Sequence, residues 1–190
     1  MPNPNFPHQA PNQFEQEPPQ TVSWPDIAST VEAASEYQER MEDLLKQNGW
    51  DEEEAYQISY AFQELLKNAI VHGNLGLKKP PGEEEEDWSK IVPKASLQPE
   101  NKNKTVAVTV SITPRKVTIT IQDEGKNTPK FWEKDSQTEG MRTGADTQWK
   151  SGRGVMISEA FLNEVRYEKN ETGVKATLIR DLNIPIIRRP

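Results

Sequence analysis

The spacing of apolar residues changes along the chain, and this change limits the folds it can adopt. Between residues 26 and 73 the apolar residues recur at helical spacing, whereas between 105 and 121 they alternate with polar ones. A short helix after Gly154 and two strands around Val165–Tyr167 and Val174–Leu178 follow. This order predicts an α+β fold, a two-layer sandwich with helices on one face of a mostly antiparallel, mixed sheet.

Two helices are predicted before the hairpin. The first covers residues 26 to 48 and starts beside a Pro-Asp pair. The second runs from Asp51 to about Gly73, and Asp51 with Glu54 three residues later predicts a capping box. Both helices have an apolar stripe that can cover the sheet.

The hairpin places a carboxylate at a defined position. Its strands run from Val106 to Ile112 and from Val117 to Ile121, with a turn at Thr113-Pro114. Continuing the alternation by two residues from Ile121 reaches Asp123, which therefore lies at the strand end on the apolar face. We expect Asp123 to point toward the helices.

The remaining segments are polar. Residues 1–21, rich in proline, asparagine and glutamine, are predicted to be a disordered tail, and 183–190 a second tail. The domain then covers 22–182. Within it, 76–104 carries an acidic run and is predicted to be an exposed loop insertion, and 126–151 a mobile lid.

Composition excludes several classes of protein. No segment has the roughly 20 apolar residues that span a bilayer, and the N-terminus lacks the pattern of a secretory signal. The absence of cysteine fits a cytoplasmic protein. A net charge of −7 argues against direct nucleic-acid binding and favours a protein partner or a small ligand.

Three polar residues on the second helix form a candidate site. Glu64, Asn68 and His72 recur every fourth residue, so they stack on one flank beside the apolar stripe. A neutral amide oxygen from Asn68 suits Mg²⁺, a hard cation that prefers oxygen ligands. Taken singly, each also fits an ordinary helix: a solvated glutamate, a tolerated asparagine, and a histidine favoured by the helix dipole.

Two further segments converge on the same chemistry. A buried Asp123 needs a hydrogen-bond donor, and the exocyclic amine of adenine would supply one, with Gly125 close behind it. Gly152-Arg153-Gly154 precedes a predicted helix, whose free N–H groups would suit phosphates. Each segment alone also fits a tight turn, and their joint occurrence in this order is the stronger signal.

The chain resembles the GHKL (histidine-kinase-like) ATPase/kinase superfamily, and most closely its branch of anti-sigma-factor serine/threonine protein kinases, over about residues 22–182. Glu64–Asn74 is similar to the N box of that family. Asp123–Gly125 and Ser151–Val155 are similar to its first and second glycine boxes, and residues 161–178 match the closing strands in layout.

The resemblance implies a role for each residue. Asn68 would coordinate Mg²⁺, Asp123 would recognise the adenine of ATP, and Glu64 would be the general base. The remaining nucleotide contacts would come from His72 in the N box, Gly125 in the first glycine box, and Gly152, Arg153 and Gly154, which would hold the phosphates beneath a lid.

The resemblance also implies partners. As a kinase of this branch, the chain would phosphorylate a protein antagonist and sequester a sigma factor, with no direct contact to nucleic acid or membrane. Its relatives commonly form homodimers. The alternative is a noncatalytic binding module, because Lys126 rather than a second glycine follows Gly125, and Val174 replaces a threonine. A sensor histidine kinase is less favoured, since little chain precedes the first predicted helix.

Overall fold

The computed structural model of the 190-residue chain describes residues 18–77, 88–126, 142–143 and 160–186. Its elements are β1 (Gln20–Ala28), α1 (Val31–Gln47), α2 (Glu52–Asn68), a π-helical segment (Ala69–Asn74), α3 (Trp88–Ser96), β2 (Thr105–Ile112), β3 (Lys116–Gln122), β4 (Arg142–Thr143), β5 (Glu164–Lys169) and β6 (Val174–Asp181). The predicted α+β class is confirmed. No helix among the described residues is long and apolar enough to cross a membrane.

The strands form one six-stranded sheet in the order β1-β2-β3-β6-β5-β4. Every described pair of neighbours is antiparallel. The predicted hairpins are confirmed as β2–β3 and β5–β6, and they join at the centre, where β3 pairs with β6. At that centre Val110, Ile119 and Leu178 lie side by side. The two halves of the chain therefore share one sheet.

One face of the sheet is buried against the helices. Alternate residues of the central strands are buried, while the residues between them remain at least partly accessible, as expected for a sheet with one covered face. The opposite layer comes from α1 and α2, whose stripes join the same core through residues including Met41, Leu45, Ile58, Phe62 and Leu66. Burial of these apolar side chains is the main force that holds the two layers together.

An ion pair fixes the start of α2 to the sheet. Asp51 caps the helix as predicted, because its Oδ1 accepts from the Glu54 N–H at 3.0 Å. The second half of the predicted capping box is wrong. The Glu54 carboxylate instead receives two hydrogen bonds from Arg180 of β6, at 2.9 and 2.6 Å. Arg180 is buried, so the pair fixes the orientation of α2 on the sheet.

The prediction of a helix from residue 26 is corrected. Residues 20–28 form β1, which begins inside the predicted tail and pairs with β2. The helix starts later, where the Thr30 hydroxyl caps α1 by accepting from Ala33 N–H at 3.1 Å. The register of β1 shifts between Trp24 and Ile27, at the Pro25-Asp26 pair. Proline cannot donate to a ladder, so a shift there is expected.

The prediction that residues 76–104 form only an exposed loop is also corrected. Residues 88–96 form α3, and Val92 on this helix is buried in the common core. Asn101 then donates to the Ala95 carbonyl at 3.0 Å, which satisfies the end of α3. The segment thus returns to the domain before β2 begins.

Candidate functional site

The predicted second helix changes its geometry at the site. It is α-helical only to Asn68 and continues as a π-helical segment, in which Leu75 N–H donates to the Ile70 carbonyl at 2.9 Å. This i to i+5 bond spans one more residue than the i to i+4 bond of an α-helix, so the turn is wider. The predicted extent of the helix, from Asp51 to about Gly73, is confirmed, but its last residues are π-helical. Short π-helical turns of this kind are frequent at functional sites.

Glu64 lies on α2 with its carboxylate partly exposed. Lys67 one turn later places its Nζ 3.1 Å from Glu64 Oε1 and 3.0 Å from Gln63 Oε1. The Glu64 side chain is 22% exposed and that of Lys67 36% exposed. A pair this accessible contributes at most about 1 kcal/mol to folding. The carboxylate can therefore leave Lys67 for another partner at little cost.

Asn68 and His72 differ in their surroundings. Asn68 is partly buried, and its side-chain amide makes no hydrogen bond to any residue in the described ranges. His72 is exposed, and its Nδ1 lies 2.6 Å from the Leu77 carbonyl, to which it donates. The Asn68 amide is therefore available to a ligand, whereas the His72 ring is directed toward the chain that leaves the helix.

Asp123 is buried at the end of β3, as the alternation predicts. Its Oδ1 accepts from Val174 N–H at 2.9 Å and from Gly125 N–H at 3.0 Å. No donor for Oδ2 occurs in the described part of the chain. Burial raises the pKa of Asp123, while the two N–H groups and the nearby Lys104 ammonium oppose the rise. One carboxylate oxygen is thus fixed and the other is left for a ligand.

Glycines surround this carboxylate. A Cβ on Gly73 would lie 2.3 Å from Asp123 Oδ2, and a Cβ on Gly173 would lie 2.2 Å from the Asp123 carbonyl oxygen. A Cβ on Gly125 would lie 2.2 Å from the Gly73 carbonyl oxygen. No side chain fits at these three positions, so backbone contact between the helix end and the strand end requires glycine. The contact confirms that Asp123 points toward the helices.

A buried asparagine next to Gly73 joins the same two elements. Asn74 is 0% exposed, and its Nδ2 donates to Ser29 Oγ at 2.8 Å and to the Thr105 carbonyl at 2.9 Å. Its Oδ1 accepts from Glu124 N–H at 2.7 Å. Glu124 in turn accepts from Thr105 N–H and Oγ1, at 2.9 and 3.0 Å. The loop after Asp123 is therefore held on both sides.

Sequence reasoning missed most of this support. Asn74 is the last residue of the motif similar to the N box, and its position directly after Gly73 is the signal that could have identified it. Lys104, whose Nζ donates to the Asn74 carbonyl at 2.6 Å, has no such signal. Its contact depends on the path of the chain between α3 and β2.

The structure brings together part of the predicted site. Gly73 contacts Asp123, and Asn68 precedes Gly73 by five residues, which is less than about 10 Å along the axis. Glu64 lies about one turn before Asn68. Gly152, Arg153 and Gly154, the first residues of the short helix predicted after them, and all of the predicted lid except Lys126 and the two residues of β4 lie outside the described residues, whereas Ala160 and Phe161 of that predicted helix are helical.

Comparison with known protein families supports the interpretation that this site belongs to an ATP-binding domain. Residues 95–180 match the family model described as the histidine kinase-like ATPase domain. The matched range includes Asp123 and Gly125 and begins after the helix that carries Glu64 and Asn68. No curated protein matches the chain significantly. The family match supports an ATP-binding domain of the GHKL type, and the antiparallel sheet with helices on one face is consistent with that fold.

Proposed function

We propose that the chain is an ATP-dependent serine/threonine protein kinase of the anti-sigma-factor type. The observation that carries the proposal is that the two carboxylate oxygens of Asp123 have different surroundings. One oxygen is held by two backbone N–H groups, and the other lies against Gly73 with no donor among the described residues. A buried acceptor of this kind matches the amine of adenine.

The residues along α2 fit the rest of a nucleotide site. The Asn68 amide, which has no described partner, would hold Mg²⁺ through its oxygen. Bound Mg²⁺ would neutralise charge on the phosphates of ATP during transfer. Asp123 and Asn68 would thus hold the base and the metal from two elements in direct contact at Gly73.

Glu64 would act as the general base. Its carboxylate would take the proton from a serine hydroxyl of the partner protein as the serine oxygen bonds to the γ-phosphorus and the bond from that phosphorus to ADP breaks. The exposed pairing with Lys67 suits this role, because Glu64 can exchange that partner for the serine.

The protein partners follow from the resemblance of the sequence motifs to the anti-sigma-factor branch. The phosphorylated substrate would be an antagonist protein, and a sigma factor would be sequestered until the antagonist displaces it. A homodimer is consistent with the relatives in that branch. Affinity capture from the native cell, with and without ATP, would recover a sigma subunit or a serine-phosphorylated antagonist if the proposal is right.

The assignment of Glu64 is tested with the captured antagonist and labelled Mg-ATP. Glu64→Gln is expected to lower transfer by about 10²-fold or more and to leave ATP affinity unchanged, since it removes only the base. Glu42→Gln is the matched control, because it breaks a similar ion pair with Lys46 on α1. Equal transfer by Glu64→Gln and wild type would show that Glu64 is not the base.

A noncatalytic GHKL-fold binding module is the second candidate. It is favoured by Lys126 after Gly125, and by Val174, whose side chain cannot replace the hydroxyl of the family threonine. Calorimetry with Mg-ATP separates the candidates. Micromolar binding that Asn68→Ala abolishes would contradict an inactive site, whereas absence of binding to the wild type would support the module.

A further inference from the structure

The segment between α3 and β2 is tied to the proposed adenine site by a lysine. Lys104 Nζ donates to the Asn74 carbonyl at 2.6 Å and to Asn101 Oδ1 at 2.9 Å. Asn101 is buried and also bonds to the end of α3. The ammonium therefore bridges α3 and the last residue of the π-helical segment.

The connection continues from Asn74 to the loop that contains Asp123. The side-chain Oδ1 of Asn74 accepts from the N–H of Glu124, the residue after Asp123, at 2.7 Å. The Lys104 carbonyl also accepts from Ser29 Oγ at 2.9 Å, so the backbone of Lys104 is fixed as well as its side chain. Moving Lys104 would thus shift Asn74, and with it the support of the loop.

The positive charge of Lys104 strengthens these contacts. A hydrogen bond from an ammonium to a partly buried carbonyl is stronger than one between neutral groups. Lys104 also attracts the Asp123 carboxylate and opposes the rise that burial causes in the pKa of Asp123. Its removal would therefore loosen the loop and disfavour the ionised form of Asp123 that accepts from adenine.

We infer that Lys104 is a positioning residue for the adenine-binding loop. The segment after α3 sets nucleotide affinity through Lys104. The inference rests on the proposed function, because it assigns adenine to Asp123. It gives a role to residues 98–104, which lie in the segment predicted from sequence to be an exposed insertion. Lys104 acts through its bond to Asn74 and through its charge near Asp123, and it has no role in the transfer step.

The test compares Lys104→Met with Lys102→Met by calorimetry with Mg-ATP. Lys102 is exposed in the same loop and is the matched control. Lys104→Met is expected to weaken binding roughly tenfold, the value of one hydrogen bond to a charged group, and Lys102→Met to leave it unchanged. Lys104→Arg should restore most of the affinity, because its guanidinium can donate to both acceptors.

A second measurement needs no nucleotide. Amide hydrogen exchange of the Glu124 N–H in the ligand-free protein should be roughly tenfold faster in Lys104→Met, while the core amides of Ile119 and Leu178 exchange as in wild type. Equal acceleration at all three amides would indicate general destabilisation and overturn the inference. So would Lys104→Met behaving like Lys102→Met in both measurements.

The link to α3 has its own variant. Asn101→Ala keeps the Lys104 ammonium and its bond to Asn74 but removes the contact to α3, and it should weaken Mg-ATP binding in the same direction. Unchanged affinity and unchanged Glu124 exchange would overturn the link. If wild type binds no ATP, the proposed function fails, and the Glu124 exchange rates still decide whether Lys104 positions the loop.

Discussion

Asp123→Asn separates recognition of the base from support of the fold. The asparagine has the shape of the aspartate, and its Oδ1 can still accept from Gly125 and Val174 N–H. The other oxygen becomes an NH₂ group. A donor then faces the amine of adenine, which is also a donor, so the hydrogen bond cannot form.

The expected loss of affinity follows from two contributions. A hydrogen bond to a charged group contributes about 1.5 to 3 kcal/mol, and a buried donor left without a partner costs about 1 to 3 kcal/mol. Together they give about 2.5 to 6 kcal/mol, or roughly 10²- to 10⁴-fold weaker Mg-ATP binding. The same NH₂ group can donate to the C6 carbonyl of hypoxanthine, so the preference of the variant should shift toward Mg-ITP.

Stability should change in the opposite direction. Burial raises the pKa of Asp123 above its ordinary value of 3.8. An acid whose pKa is raised in the folded state stabilises the fold fully only when the pH is below the ordinary pKa. This stabilisation is lost as the pH rises through the raised pKa. At neutral pH the ionised carboxylate is therefore a net cost, which asparagine removes. The Tm of Asp123→Asn should equal or exceed that of wild type.

Asp181→Asn is the matched control. The pKa of Asp181 is lowered, chiefly by the backbone N–H of Asn183, and also by Lys116, so its charge stabilises the fold at neutral pH. This variant should lose some thermal stability and bind Mg-ATP as wild type does. Wild-type affinity in Asp123→Asn would refute adenine recognition by Asp123. A Tm below that of Asp181→Asn would refute the sign of the burial effect.

Two further predictions concern the same carboxylate. Gly73→Ala places a Cβ 2.3 Å from Asp123 Oδ2, so we expect loss of Mg-ATP binding in calorimetry and about 1 to 3 kcal/mol less free energy of unfolding in urea. Gly49→Ala, at a φ of 83° and with Pro114 Cβ 4.0 Å from its Cβ, should lose stability through backbone strain but keep the affinity, and a Gly73→Ala variant that binds normally would contradict the close contact. Lowering the pH should also weaken Mg-ATP binding, because protonation of Asp123 removes the acceptor. The loss should occur above pH 3.8, the ordinary pKa of an aspartate, because burial raises the pKa of Asp123. An equally steep profile in Asp123→Asn would assign the pH dependence to another group.

The sequence predicted the central hairpins because their apolar and polar residues alternate without interruption. In β1 the alternation breaks: Val22 and Trp24 keep the period, but the register shift at Pro25-Asp26 moves Ile27 out of phase. Ile27 then lies at helical spacing from Val31, so the sequence pattern predicts the start of a helix where the strand ends. A bulge can therefore make the end of a strand look like helix.

The helix α3 was missed for a different reason. Pro93 lies inside it, and an acidic run precedes it, so local propensity argues against a helix. Val92 is 1% exposed, and its burial in the core outweighs that propensity. In so short a segment, tertiary contacts of this kind leave no periodic pattern in the sequence that would predict them. The contacts of Lys104 and Asn101 were unpredictable for the same reason, since they depend on where α3 returns the chain.

The π-helical segment explains why the site could be predicted only in part. Counting from Ile121 located Asp123, but the residues that meet it depend on the wider turn after Asn68. Within that turn Gly73 faces the carboxylate and Asn74 holds the next residue of the loop, Glu124. Consecutive residues of one segment thus lie against the carboxylate that is proposed to bind adenine and anchor the residue that follows it. A change in the turn would therefore move both contacts together and alter nucleotide affinity and the packing of the helix end on the sheet at once.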